Sequence, residues 1–349
     1  MKRLKTKNLI VKMGKAWLLV AVAIAMLLSA CAPTAVPSPA APKKLTKLRA
    51  GEPPAGFFQA FTMMGLEKGF AKEEGLDIEV TYAAEGDLVK ALVSGQLDMI
   101  ANVNPFTGFS AIEQGASMIL VGATVRPRDT LYVKKEINNV KDLEGRSIAS
   151  SGPGRLTHAL ELGLLDKYKV DKNKVDIVSV GGDSDRMAAL LAGKVDATVA
   201  GIENMSIVEK TPSLKALLTI RDALPEFALM GGIFPGDKLV KEQPEVVQGY
   251  VNTVARGIRY AYEHKDETVA LAMKLLKTED KAAMERAYDD NVKNKFLPAN
   301  LEFTDEVIKG VQDYNVSANA QKAVLPFDKI ATRKFQEAMI AKLGEYKYK

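Results

Sequence analysis

Two twelve-residue segments of the chain repeat the same pattern. Residues 87–98 read DLVKALVSGQLD and residues 185–196 read DRMAALLAGKVD, with Asp, Ala, Leu, Gly and Asp in the same positions. In each copy a polar residue begins a predicted helix, an Ala-Leu pair packs on a sheet, and glycine ends the helix before a short apolar strand. Two generic amphipathic helices with glycine caps would look similar, but each copy also ends an α/β stretch of similar length. The repeat therefore predicts two similarly built α/β lobes.

Short apolar runs alternate with helical patterns along the rest of the chain. Strands are predicted at 47–51, 77–82 and 97–103 and helices at 60–74 and 87–94. This βαβαβ order predicts a mostly parallel sheet flanked by helices. A strand at 228–234 is apolar enough to return to the first lobe, and helices dominate from Pro244 onward. We therefore predict lobe one at 46–128 plus 233–349 and lobe two at 129–232.

The N-terminal residues predict export and membrane anchoring. Six basic and no acidic residues precede an uncharged apolar run at 16–28, which is shorter than the roughly 18 residues of a membrane span. Leu28-Ser29-Ala30-Cys31 resembles the lipobox of bacterial lipoproteins, in which the cysteine is lipidated and becomes the new N-terminus. We expect a signal peptide at 1–30, a lipid on Cys31 and a Pro-rich tether at 31–45. The alternative is an ordinary signal peptide with a stray cysteine.

Composition disfavours several classes of function. Without the signal the chain has 42 basic and 43 acidic residues, so no nucleic-acid partner is expected. Cys31 is the only cysteine, and His158 and His264 are the only histidines. The folded body therefore lacks the ligands of the usual zinc sites and the Cys/His pairs of nucleophilic enzymes, and neither a metal nor a cofactor is predicted.

Several segments, taken in order, resemble the substrate-binding lipoproteins of ABC importers in the SsuA/THI5-like (NMT1-type) group. They are EKGFAKEEGLD at 67–77, the repeat copies ending at Asp98 and Asp196, VKDLEG at 140–145 and QPEVV at 243–247. The resemblance implies a two-lobed type II periplasmic-binding-protein fold that closes on a small molecule and hands it to a permease and its ATPase. It also implies a monomeric, exported, non-enzymatic protein, lipid-anchored to a membrane and facing the periplasm or the cell exterior.

The chain departs from this family in two ways. Ile202-Glu203-Asn204 stands where the family often has Trp-Glu-Pro, so only Glu203 carries over. The cysteine-rich cluster of the pyrimidine-making THI5 enzymes is missing, which disfavours the alternative of an enzyme on the same fold. A solute-sensing lipoprotein is a further alternative that the sequence leaves open.

The candidate ligand-binding residues follow predicted strands, because open parallel sheets bind ligands beyond the carboxyl ends of their strands. They are Phe57, Phe58, Asn102 and Asn104 in lobe one, and Ser150, Ser151, Gly152, Gly154, Arg155, Thr157, Glu203 and Asn204 in lobe two. Small residues, hydroxyls, a guanidinium and a helix N-terminus at 150–157 favour an anion. We therefore expect a small organic, anionic ligand: a sulfonate, carboxylate or nitrate-like solute.

These residues also have structural interpretations. The 150–157 segment could be a tight strand-to-helix turn with capping hydroxyls, and either phenylalanine could pack against the adjacent helix. Asparagine before proline is ordinary turn chemistry. Arg155 could equally lie on the solvated surface.

Overall fold

The strands in the described part of the chain form two sheets of five strands each. The computed structural model describes residues 45–54, 56–152, 156–227 and 229–348. The strands are β1 (Thr46–Glu52), β2 (Leu76–Tyr82), β3 (Met99–Val103), β4 (Gly122–Val125), β5 (Asp129–Lys134), β6 (Ser147–Ser150), β7 (Asp176–Ser179), β8 (Ala197–Gly201), β9 (Leu214–Thr219) and β10 (Gly231–Pro235). Sheet one has the strand order β2-β1-β3-β10-β4, and sheet two has the order β7-β6-β8-β5-β9.

Helices connect the strands and make up most of the C-terminal region. They are α1 (Gln59–Glu67), α2 (Phe70–Glu73), α3 (Glu85–Val93), α4 (Pro105–Glu113), α5 (Leu156–Lys167), α6 (Asp183–Leu191), α7 (Met205–Glu209), α8 (Ile220–Ala223), α9 (Asp237–Glu242), α10 (Pro244–Glu263), α11 (Lys265–Leu276), α12 (Lys281–Asn294), α13 (Asp305–Ser317), α14 (Phe327–Ile330) and α15 (Lys334–Leu343). Short 3-10 helices lie at Val140–Leu143, Lys172–Lys174, Ile202–Asn204 and Pro225–Phe227.

Four strands of each sheet run in one direction and the fifth runs against them. In sheet one, β10 is antiparallel to both of its neighbours, β3 and β4, while β1 is parallel to β2 and β3. In sheet two, β5 takes the same position between β8 and β9. Each opposed strand is the first strand after the chain crosses from the other sheet. The predicted α/β fold with two mostly parallel sheets is confirmed.

Both faces of each sheet are buried. Met99 and Ile100 are neighbours in β3 but belong to different hydrophobic clusters, and the same holds for Leu131 and Tyr132 in β5. Successive side chains of a strand point to opposite faces, so each sheet lies between two apolar layers. This explains why the inner strands read as nearly continuous apolar runs in the sequence.

Glycines in the left-handed conformation end helices, in one place against the prediction. Gly95 (φ 75°) and Gly193 (φ 69°) follow the helices of the two repeat copies, as predicted. Gly69 (φ 77°) interrupts the single helix predicted at 60–74, so that α1 ends at Glu67 and α2 begins at Phe70. The predicted continuous helix is therefore wrong, because this glycine takes a conformation that an α-helix cannot contain.

The last aspartate of each repeat copy joins its strand to a neighbouring one. Asp98 Oδ2 accepts a hydrogen bond from the Arg49 amide at 2.8 Å, at the edge where β1 meets β3. Asp196 Oδ2 accepts one from the Ser147 amide at 2.9 Å, where β6 meets β8. The two halves thus share a tertiary contact as well as a sequence pattern. The lobe boundaries near 128 and 232 stay a prediction.

Candidate functional site

A cavity of about 380 Å³ lies where strand ends of the two sheets meet. Its lining residues are Pro53, Pro54, Phe58, Glu85, Asn102, Asn104, Val125, Arg126, Arg128, Asp129, Asp183, Gly201, Glu203 and Met230. The cavity therefore contains residues that follow β1, β3 and β8, where the rule for α/β folds expects a ligand. Of the residues chosen from the sequence, Phe58, Asn102, Asn104 and Glu203 lie here.

Asn102 is held firmly at the cavity. It has φ 55°, a left-handed conformation that asparagine adopts more readily than most residues, and its side chain is buried. Its Nδ2 donates to Glu52 Oε2 at 2.6 Å and to Thr62 Oγ1 at 3.0 Å. Its Oδ1 has no hydrogen-bond partner in the described residues. Burial raises the pKa of Glu52 to about 7, although hydrogen bonds from Asn102 and Tyr250 act to lower it.

The two adjacent phenylalanines after β1 point to different environments. Phe57 is buried and packs edge-on against Phe61, with ring centroids 6.2 Å apart. Phe58 is half-buried and lines the cavity, and the guanidinium carbon of Arg128 lies 5.6 Å from its ring centroid. Phe57 thus packs against the adjacent helix, and Phe58 is the one with access to a ligand.

Glu203 and Asn204 follow β8 in the same short 3-10 helix. Glu203 is exposed and lines the cavity, whereas Asn204 does not line it. Asn204 Nδ2 instead donates to Asp183 Oδ2 at 2.9 Å and to the Gly201 carbonyl at 3.0 Å. Asp183 Oδ1 accepts from Nη2 of the buried Arg186 at 2.9 Å. Asn204 and Arg186 together hold Asp183 in place at the cavity wall.

Arg128 and Asp129 also line the cavity, although the sequence predicts only that they lie at the boundary between the two lobes. Burial raises the pKa of Asp129 to about 6. Arg128 and Arg186 act to lower this pKa, and the carboxylates of Asp183 and Glu203 act to raise it. Neither Arg128 nor Asp129 has a side-chain hydrogen bond or ion pair within the described ranges. The one sequence feature that could have indicated these two residues is the pair of charges in a segment that connects one sheet to the other.

The cavity has more carboxylates than guanidiniums. Glu85 and Arg126 are both bound to other parts of the protein. Glu85 accepts from the Asn104 amide at 3.0 Å and from Thr107 Oγ1 at 2.9 Å. Arg126 donates to the Lys295 carbonyl at 2.9 Å and forms an ion pair with Glu302. Asn104 itself caps α4 by accepting from the amide of Phe106, so its side chain serves the helix as well as the cavity wall.

The described part of the 150–157 segment bonds within lobe two. Ser150 is fully buried, and its Oγ lies 3.1 Å from His158 Nδ1 and accepts from the Gly152 amide at 3.3 Å. Thr157 Oγ1 accepts from Arg186 Nη2 at 3.3 Å. These contacts are those of a strand-to-helix turn. None of these residues lines the cavity.

These contacts do not test the remaining residues that the sequence predicts to be functional. Ser151 Oγ is buried without a hydrogen-bond partner in the part of the chain that the structure describes. Gly154 and Arg155 lie outside the described residues, so the anion-binding role of this loop stays a prediction. Cys31 also lies outside them.

Three other cavities are larger and lie among helices. One of about 890 Å³ lies beside α14 and α15. One of about 510 Å³ lies between α5 and α13, and one of about 460 Å³ lies beside α4 and α13. Within residues 45–348, leaving aside the undescribed positions, no group of three or more His, Cys, Asp or Glu side chains could hold a metal ion. No helix in the described ranges is both long enough and apolar enough to cross a membrane.

The sequence is similar to that of known proteins. The sequence model of the family described as NMT1/THI5 like matches residues 59–268, which is more than half of the chain. The riboflavin-binding protein RibY of Chloroflexus aurantiacus is 22% identical over 261 residues, which cover 71% of this chain and 71% of that protein.

The fold is similar to that of solved periplasmic binding proteins. The putative periplasmic sulfonate-binding protein SsuA of Methylobacillus flagellatus gives a TM-score of 0.71 at 19% identity, covering 86% of this chain and 96% of its own. The periplasmic aliphatic sulphonate binding protein SsuA of Escherichia coli gives a TM-score of 0.66 at 16% identity, covering 84% and 92%. At these identities the likeness concerns the fold.

Proposed function

The chain belongs to the NMT1/THI5-like family, and from this premise we propose that it is the extracytoplasmic solute-binding component of an ABC importer. In this role it captures a small organic molecule in the cavity between the sheets and delivers it to a permease with its ATPase. One observation carries the proposal: residues at the strand ends of both sheets line the same cavity. A ligand that contacts both sheets would favour their closed arrangement.

We further propose that the two lobes move against each other about the two chain crossings between them, near 126–130 and 225–232. Three aromatic side chains support this. Phe106 in α4 stacks on Phe227 from the sheet-two half, with ring centroids 6.0 Å apart. Tyr314 in α13 meets both rings edge-on, at 5.2 Å and 6.1 Å. Because Phe227 lies in the second crossing, these contacts pack that crossing against two helices of lobe one and would restrain movement about it.

The cavity suits binding better than histidine-dependent catalysis. Neither histidine lines it. The His158 ring bonds to Ser150, and burial lowers its pKa. The His264 ring stacks on Tyr260 with centroids 3.6 Å apart. The matched SsuA structures, which are named as binding proteins, also support a non-enzymatic role.

Anchoring through lipidated Cys31 is part of the proposal. A tether at 31–45 would hold the folded body near its permease and raise the local concentration of loaded protein. The proposed location is the outer face of a membrane, towards the periplasm or the cell exterior.

The test is to identify and titrate the bound solute. Protein purified from its native membrane is denatured, the released small molecules are identified by mass spectrometry, and the main compound is titrated calorimetrically into refolded protein. Phe58→Ala should weaken binding about tenfold, because the ring face is lost from the cavity. Phe70→Ala is the matched control: it is also half-buried with an arginine over its ring, 4.0 Å away, but it does not line the cavity.

Three outcomes separate the possibilities. A compound whose affinity falls in Phe58→Ala and not in Phe70→Ala supports the proposal. Equal affinity in both variants and the wild type means that the solute binds elsewhere. A protein that releases and binds no small molecule contradicts the proposed function.

A further inference from the structure

Some charged groups of the cavity between the sheets are not used by the protein itself. Glu85, Asp183 and Arg126 are bound to other protein groups. The charged side chains without a hydrogen bond or ion pair in the described residues are Arg128, Asp129 and Glu203. Among these unpaired groups Arg128 contributes one positive charge, and Asp129 and Glu203 contribute two negative charges.

Asn102 adds a neutral acceptor to this set. It is 3% exposed, and it lines the same cavity. Because Nδ2 is engaged by Glu52 and Thr62, the amide is fixed with Oδ1 as the group left without a partner. Buried polar groups without partners are costly. The cavity therefore offers three acceptors, the buried Oδ1 of Asn102 and the carboxylates of Asp129 and the exposed Glu203, and one donor group, Arg128.

Building on the proposed function, we propose that the ligand carries a cationic nitrogen, as in a protonated amine or amidine, together with an oxygen acceptor. Asp129 and Glu203 bind the cationic nitrogen, Arg128 binds the oxygen, and an apolar or flat body lies against Phe58. A purely anionic ligand would meet two carboxylates for one open guanidinium, whereas a cationic nitrogen compensates the excess negative charge. The ligand class is thus amphoteric rather than simply anionic.

Three probe compounds built on the same benzene ring test this ligand class. They are 4-(aminomethyl)benzoate with both charges, 4-methylbenzoate with the anion alone, and 4-methylbenzylamine with the cation alone. Affinity is measured by calorimetry with the mature protein. We expect the doubly charged probe to bind most tightly and the anion-only probe to bind about tenfold or more weakly, because charged hydrogen bonds are the strong ones.

Variants that remove one charge each show which side chain binds which group of the ligand. Asp129→Asn and Glu203→Gln should each weaken the two amine probes about tenfold and should not weaken the anion-only probe. Arg128→Gln should weaken the two carboxylate-bearing probes about tenfold and should not weaken the cation-only probe. Glu279→Gln is the control, because Glu279 is exposed in the turn between α11 and α12. A purely structural role of Asp129 or Glu203 would change the affinity of all three probes alike.

The pH dependence gives a second readout. Asp129 is faced by Arg128, Asp183, Arg186 and Glu203, and burial raises its pKa to about 6. As the pH falls from about 8 to about 5, Asp129 takes up a proton and the amine probes should bind more weakly. The Asp129→Asn variant should lose that part of the pH dependence.

The outcomes distinguish this inference from the proposed function. Tightest binding of the anion-only probe, or unchanged amine binding in both carboxylate variants, overturns the ligand class and leaves solute capture standing. If no probe binds, the compound released from native protein decides: a basic nitrogen in it supports the inference, and its absence overturns the inference. Failure of every probe together with no released compound counts against the proposed function as well.

Discussion

Replacing Glu161 by glutamine should remove a large part of the pH dependence of stability. Glu161 lies in α5 with no exposed surface, and neither carboxylate oxygen has a hydrogen-bond partner in the described residues. Burial raises its pKa from 4.5 to about 8, against weaker lowering effects of Ser150 and Arg186. Since the unfolded chain ionises this group at lower pH than the folded protein does, the folded state loses stability as the pH rises from about 4.5 to about 8.

The magnitude follows from the two pKa values. Between about pH 5 and about pH 9 the Glu161 carboxyl should lower the free energy of unfolding by up to about 4 kcal/mol. Glutamine has no charge at any of these pH values, so Glu161→Gln should resemble the wild type at low pH and become increasingly more stable than it at high pH. Other buried carboxyls affect both proteins alike and cancel in the difference.

Urea unfolding followed by circular dichroism at several pH values provides the assay. Glu279→Gln, at an exposed position, controls for the loss of a carboxylate. Its profile should run parallel to that of the wild type. If Glu161→Gln also runs parallel to the wild type over the whole range, the Glu161 carboxyl has an ordinary pKa and the reasoning is refuted.

Four other substitutions have defined outcomes. Gly65→Ala would place Cβ 2.2 Å from the Thr253 carbonyl oxygen, between α1 and α10, and should lower the free energy of unfolding by about 2–3 kcal/mol. Gly86→Ala in α3 would place Cβ where no other atom lies within 4 Å, and should raise the free energy of unfolding by up to about 1 kcal/mol. Urea titration checks both, and equal effects would contradict the packing argument. Phe227→Ala should cost about 3 kcal/mol and enlarge the radius of gyration of the unliganded protein in solution scattering; an unchanged radius would show that the aromatic cluster does not hold the lobes together. Cys31→Ala should leave unprocessed precursor, and an intact mass and membrane fraction like those of the wild type would contradict lipidation.

The fold was largely predictable because local signals decide much of it. The glycine of each repeat copy takes a positive φ, and a residue type with no Cβ makes that visible in the sequence. The pairing of Asp98 with Arg49, and of Asp196 with Ser147, was not predictable in the same way. These contacts join residues 49 positions apart, and no local pattern indicates them.

The rule that ligands bind beyond the carboxyl ends of parallel strands predicts only part of the site. Phe58, Asn102 and Glu203 each lie at or after the carboxyl end of a strand that runs in the common direction, which is where the rule looks for ligand contacts. Arg128 and Asp129 precede or begin β5, which runs in the opposite direction. A reversed strand brings its first residues to the edge where the other strands have their last, so a rule based on carboxyl ends misses them.

Neighbouring residues also differ in ways that the sequence does not encode. Phe57 and Phe58 have the same side chain, and only tertiary packing decides that Phe57 enters the core and Phe58 reaches the cavity. Asn204 is a predicted ligand-binding residue whose side chain bonds to Asp183 at the cavity wall, and its contact with a ligand stays a prediction.

A crystal structure of the protein with its co-purified solute tests the central claim most directly. We expect ligand density in the cavity of about 380 Å³, in contact with Phe58 from the sheet-one half and with Asp129 or Glu203 from the sheet-two half. Density that contacts one half only, or that lies in the cavity of about 510 Å³ between α5 and α13, would contradict capture between the two sheets.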